Sequence, residues 1–420
     1  MCFLLGCTPL SQSSQNSASN PKTMRFIDFG YEHQIRTAVI RPDFADPRTY
    51  LEPAVTRLGE WNLLLEFDDL RDQRDNYYAR IIHCNYDWTR SSLMDLDFLT
   101  DFNEFPINNF EFSVDTHIPF VHYWINLPPV KLPGNYMVVV YRGTDKNDII
   151  LSKRFMVFDT RVTFENERNL IGAGNIAALN QQINFTVNYK NLDVINPLEN
   201  VKVSIRQNRR WDNIVTDIRP SFVREIEKQL EYRFFESGKM FKGGNEFRFF
   251  DLRSLLNPGR NVARVIKTSK PYEVFIERDK SRADEVYSQL PDFNGGFIPD
   301  NLDYPDAAFT NYANVNFTLA APQPYPGNIY VAGAFNYWNL NDQNRMRYDS
   351  ATKEYRARVL LKQGWYDYQY LIQSPNHPPY FLEGSHFETE NFYEILVYYR
   401  PFQPQADLLI GYLRLDMNQR

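Results

Sequence analysis

Histidine and cysteine are the scarcest reactive side chains in this sequence, and their spacing decides whether it offers chemistry. His83, His117 and His122 fall within one third of the chain at irregular separations. His117 and His122 stand on either side of Pro119, a separation that does not place both on one face of a strand. In "GSHFETEN", His386, Glu388 and Glu390 recur at period two, so a strand there would carry all three on one face, suited to a metal ion or an acid/base pair. No further ligand lies nearby, and the expected state of this stretch is a solvated strand edge. The chain has no G-x-S-x-G, no glycine-rich phosphate loop and no H-E-x-x-H. We therefore expect no catalytic residue, no metal ligand, no cofactor and no small-molecule substrate. Cys84 sits alone in an apolar run and reads as a small buried hydrophobe. With one cysteine in the folded body there is no internal disulfide framework.

A different kind of site is suggested by "VAGAFNYWNL", residues 331–340. Its Gly333, Phe335 and Trp338 form a G-x-F-x-x-W run that resembles the start of the immunoglobulin-like (early-set) modules that hold starch and glycogen. In those modules the Trp stacks on a sugar ring. It is assisted by a Lys in a later strand, a second Trp in the following hairpin and an Asn near the last strand. Trp338 and Asn391 fill the first and last roles here, but Gln369 stands where the Lys is expected, and "QSPNHPPY" offers only Tyr380. The scaffold is kept while much of the ligand set is gone. A periplasmic or surface glycan-binding lipoprotein is the alternative reading of the whole chain.

The elements that must carry these residues are strands. Aromatic residues make up 15% of the chain, with 27 Tyr and 32 Phe, and such rings suit half-buried pleated surfaces. Short alternating runs separated by turn signals predict an all-β protein of tandem immunoglobulin-like, antiparallel sandwiches. The expected divisions are a signal remnant and flexible tether at 1–24, an N-terminal sandwich at 25–160, a middle β domain at 161–280, a connector at 281–310 and a C-terminal early-set-like sandwich at 311–412. In the first unit, 61–70, 77–88, 120–128, 135–143 and 149–159 read as strands. "LPGNYMVVVY" turns at Pro133-Gly134 into a strand headed by Tyr136, as in the corner of immunoglobulin-like sandwiches where a Tyr hydroxyl ties down the turn. "KQGWYDYQYLI" repeats that arrangement with Gly364 before Tyr366. "RQNRRWDN" reads as an exposed turn with arginine stacked on Trp211.

The net charge of −6 offers no basic face to a phosphate backbone, so nucleic acid is not an expected partner. No window of about 18 apolar residues exists for a spanning helix. The beginning "MCFLLGCTPL" resembles a bacterial lipoprotein lipobox ending at Cys7, with the full signal expected upstream of the assigned start. The Ser/Gln/Asn tract that follows suits a tether behind a lipidated Cys7. The long stretch from Asp87 to Pro119 reads as an elaborated loop with one short strand at 110–114. Its Trp88, Arg90, Phe98, Phe102 and Phe105 look exposed and are the candidate partner interface.

Taken in order, "NYYARIIHCNYDW", "LPGNYMVVVY", "RRWDN", "GGNEFRFFDL", "LLKQGWYDYQYL", "EGSHFETEN" and "ILVYYRPF" resemble the type IX secretion system plug proteins of Bacteroidota across residues 25–412. The resemblance implies a periplasmic, non-enzymatic protein at the inner face of the outer membrane. There it would seal the periplasmic mouth of the translocon β-barrel while no cargo is in transit. It carries over no catalytic residue. A lipid on Cys7 would supply the membrane attachment.

Overall fold

The computed structural model describes residues 22–166, 179–233 and 241–418, and Cys2 and Cys7 lie outside them. Short strands dominate, and the helical segments are single turns such as Asp95–Phe98 and Pro197–Asn200. Three sandwiches result, each with its own apolar core.

In the first sandwich one sheet runs through Phe29–Gly30, Ile149–Phe158, Gly134–Arg142, Tyr77–Cys84 and Phe105–Ile107. It faces a four-stranded sheet of Ile35–Pro42, Leu63–Asp69, Val121–Asn126 and Asn109–Phe112. The central strand Gly134–Arg142 shows how sequence sets packing. Tyr136, Val138 and Val140 join the core with Phe67, Ile81 and Tyr123, while Met137 and Val139 point the other way, onto Leu396 and Tyr398. A strand covered on both faces reads as a continuous apolar run, which "MVVVY" is. Both expected tyrosine corners are present. Tyr136 donates its hydroxyl to the Leu132 carbonyl at 2.6 Å, and Tyr366 donates to the Lys362 carbonyl at 2.7 Å. Gly134 is required by close approach, since a Cβ there would stand 2.3 Å from His83 Nε2.

The middle and last sandwiches do not follow the expected boundaries. Val201–Gln207 pairs with Asn391–Tyr399, which pairs with Leu408–Met417, so the middle sandwich is closed by the end of the chain. This sheet faces Thr163–Asn166, Phe185–Asn188, Gln229–Tyr232 and Phe222–Arg224 across a core of Phe185, Val203, Ile205, Ile395 and Val397. In return, Arg248–Asp251 pairs with Gly364–Gln373. Val262–Ile266 and Tyr272–Ile276 extend the sheet of Tyr312–Ala320 and Glu354–Lys362, so all three belong to the last sandwich. The physical reason lies in Asn391–Tyr399, where every residue is buried. Tyr393, Ile395 and Val397 enter the middle core while Leu396 and Tyr398 enter the cluster beneath the first sandwich. A strand with two apolar faces must lie between two bodies, and the edge of the last sandwich would leave one face wet.

The expected connector is also tied down. Phe297–Pro299 pairs with Gly364–Tyr366, and the Arg282 amide donates to the Leu382 carbonyl at 2.8 Å. Residues 384–390 of "GSHFETEN" form no strand, so the period-two placement of His386, Glu388 and Glu390 is not realised. Among the described residues no group of His, Cys, Asp or Glu could hold a metal ion.

Candidate interaction surface

The elaborated loop of the first sandwich divides its aromatics between the interior and solvent. Trp88 is 6% exposed, in a turn closed by its amide donating to the Asn85 carbonyl at 2.9 Å. It meets Trp211 edge-on at 4.8 Å, with the Arg154 guanidinium 4.8 Å above its ring. Trp88 thus belongs to the contact between the first and middle sandwiches. Phe98 is 1% exposed and packs with Tyr136 in the first core, while Phe105 is half-buried against the same core. Trp88 is taken up by the contact with the middle sandwich, while a short helical turn and a short strand fold Phe98 and, in part, Phe105 back over the first sheet. Arg90 and Phe102 do face solvent, Phe102 at 76%.

Sequence reasoning missed two further exposed apolar side chains of this loop. Met94 and Leu96 are 72% and 74% exposed in the same loop. Ser92 donates to the Gln405 carbonyl at 3.3 Å, which brings the loop beside the hairpin tip that carries Phe402, 82% exposed. The Arg400 amide in turn donates to the Asn200 carbonyl at 2.9 Å, and the adjoining loop exposes Ile195 and Leu198. Hydrogen bonds therefore link three loops from two sandwiches, each of which bears exposed apolar side chains. The ion pair of Arg400 with the buried Asp407, at 2.8 Å, holds the hairpin tip, and the Tyr86 amide donates to the same carboxylate at 3.1 Å. The sequence signal was available in "SSLMDLDF", where Met94 and Leu96 alternate with Asp95 and Asp97 in a single short turn that can bury only one side, the side taken by Phe98.

The glycan-type positions are closed. Trp338 is 8% exposed; Arg210 lies 4.0 Å over its ring, Phe247 packs at 5.9 Å, and the Gly295 backbone sits so close that a Cβ would stand 2.7 Å from the ring. Gln369 is buried in the strand paired with Asn328–Ala332. The Asn391 amide is spent internally, donating to Gln181 at 3.0 Å and to the Gly243 carbonyl at 2.8 Å and accepting from Asn208 at 2.6 Å. Gly333 packs on Phe335, which is half-buried against Tyr366. The Trp338 ring is thus packed between Arg210 and Phe247, and the Asn391 amide is engaged within the protein.

The histidines are not brought together. His83 is buried beneath Gly134 and Tyr136, and burial pushes its pKa down to about 4. His117 stacks on Tyr272 at 4.0 Å. His122 contacts Asp68 at 2.7 Å in a buried group that joins the first sandwich to the last. There the Asp68 carboxylate also accepts from Lys362 and from the Tyr312 hydroxyl, each at 2.7 Å. Burial raises the Asp68 pKa, but Lys362 and His122 outweigh it and hold the carboxyl down at about 2. A second such site lies in the last sandwich, where Glu383 bonds Arg248 at 3.1 Å and Arg282 at 2.7 Å, and these cations overcome burial to keep its pKa at about 2. The middle sandwich carries a third at Arg206 and Glu394, joined at 2.7 and 2.6 Å. The Cys84 thiol is buried, and burial pushes its pKa up to about 12, as for an inert thiol. The Asp68 group fixes the first sandwich on the last, and the other two ion groups brace the sandwiches that hold them.

Residues 36–159 match the family model described as the type 9 secretion system plug protein 1st domain. The chain is also similar to a solved structure, the crystal structure of a hypothetical protein from Parabacteroides merdae. The two share 29% sequence identity over 94% of this chain and 100% of that one, with a TM-score of 0.85. No curated protein matches the chain. The three-sandwich arrangement is therefore shared with a crystallised protein over nearly the whole chain, and the first sandwich is the part that matches the first domain of type IX secretion system plug proteins.

Proposed function

We propose that the protein is a non-enzymatic periplasmic component of the type IX secretion machinery that seals the periplasmic opening of the outer-membrane translocon barrel when no cargo is in transit. The observation that carries this reading is the plug first domain at 36–159, a family tied to type IX secretion and hence to the cell envelope. A seal must be rigid and must offer a broad surface rather than a pocket. The buried ion groups at Asp68, Arg206 and Glu383 support rigidity, and the loops bearing Met94, Leu96, Phe102, Phe402 and Ile195 support a broad contact. Exposed apolar side chains in series mark interaction sites, and a stable contact of this type buries more than about 1,000 Å². A lipid on Cys7, followed by the polar tract, would keep the plug near the barrel and raise its effective concentration there.

The test is envelope permeability. Cells lacking the chain should admit large solutes through the barrel, and restoring the chain should close it. A barrel that stays closed in the deletion strain, with the barrel still present, would contradict the reading.

A further inference from the structure

A cavity of about 120 Å³ lies where the three sandwiches meet. Lys153 and Arg154 line it from the first, Arg206, Arg209 and Trp211 from the middle, and Trp338 from the last. The four cations face only two lining carboxylates, Asp28 and Glu52. Arg206 is already neutralised by Glu394, and Glu52 is drawn to Arg414 at 3.3 Å. Asp28 accepts from the Arg154 backbone amide at 2.7 Å and stays 3.5 Å from Lys153 Nζ. The Arg154 guanidinium donates to the Phe26 carbonyl at 3.2 and 2.6 Å, and Arg209 reaches only the Tyr50 carbonyl, at 3.4 Å. Among the described residues neither guanidinium has a carboxylate within ion-pair distance. Lys153 is 8% exposed, and burial lowers the pKa of Lys153, Arg154 and Arg209, the last to about 10. Uncompensated charge in a half-closed site is costly.

We infer that this junction cavity binds a small oxyanion, a carboxylate or phosphate group, held between the Arg154 and Arg209 guanidiniums. A guanidinium presents paired N–H donors that match the two oxygens of such a group. The cavity has room for about four waters, enough for one anion of this class. Its aromatic walls, Trp211 and Trp338, lower the local dielectric and strengthen the attraction. Because the walls come from all three sandwiches, a bound anion fastens them together. The inference is independent of the plug reading.

The experiment uses the purified full chain. Titration calorimetry and thermal melting follow addition of sodium phosphate and, separately, sodium malonate, each against sodium chloride at matched ionic strength. One-site saturation and a raised melting temperature are expected with at least one of the two oxyanions. Saturation by malonate alone assigns the carboxylate class, and by phosphate alone the phosphate class. Arg209→Gln should weaken binding at least tenfold and should melt no earlier than the parent in chloride, since it removes an unpaired charge. Arg209→Lys keeps the charge without the fork and should bind with intermediate affinity, which tests the geometry should the Gln variant not fold. No saturable heat with either anion, a response equalled by chloride, or unchanged binding by folded Arg209 variants would overturn the inference.

Discussion

At the scale of residues, the sandwiches are joined by buried polar groups whose partners lie in another sandwich. Asp68 is the sharpest case, since removing its charge leaves Lys362 buried without a counter-ion. Asp68→Asn should cost about 3–5 kcal/mol, the range for breaking a buried pair, as read by urea denaturation. The pH dependence has a definite sign. The folded pKa of Asp68 lies below its ordinary value of 3.8, and that of Glu383 below 4.5. Their stabilisation is therefore complete above those values and lost as pH falls towards about 2. Asp292 and Asp367 act in the opposite sense. Burial raises both, and Asp367 raises Asp292 further, so their contribution is present below the ordinary carboxylate range and declines as pH rises through the raised folded values. Denaturation midpoints across the pH range should show both limbs, and Asp68→Asn should flatten only the acid one. Trp338→Ala should destabilise by about 3–5 kcal/mol, as a buried aromatic does, and leave retention on a glucan resin at background. Wild-type retention that the substitution abolishes would restore the sugar reading.

At the scale of elements, much was legible. The strand carrying "MVVVY" and the two tyrosine corners follow from an unbroken apolar run and from turn chemistry, which are local properties. Tyr136→Phe or Tyr366→Phe should each cost about 0.5–1.5 kcal/mol for the lost hydroxyl bond, measured by thermal melting. Partner choice was not legible. "NFYEILVYY" shows that both its faces are apolar, but nothing in it says that one face meets Val203 and the other Met137. The same limit explains Trp88 and Phe98. An irregular loop rich in aromatics looks like a surface in one dimension, and only tertiary packing shows that Trp88 is seated on Trp211. The terminal strand Leu408–Met417 was not legible, because its Gly411 and later charges weaken the alternation. Gly411 is there for close approach, since a Cβ would stand 2.3 Å from Val162.

At the scale of the whole molecule, strand exchange between the middle and last sandwiches predicts joint unfolding, because neither core is complete without the other's segment of chain. Limited proteolysis should cut first in the exposed stretch 284–291, where Val286 is 92% exposed, and the nicked pieces should stay associated until denatured. Separation of the two pieces under native conditions would contradict the shared sheets. The central claim concerns the partner, and the tagged full chain purified from solubilised outer membranes tests it most directly. The parent should bring down the translocon barrel. Replacing Met94, Leu96 and Phe102 together with Ser should leave the melting transition cooperative, since all three are exposed, and should reduce the recovered barrel severalfold. Failure of the folded parent to recover any barrel would contradict the account, and undiminished recovery by the folded triple variant would remove this loop from the contact.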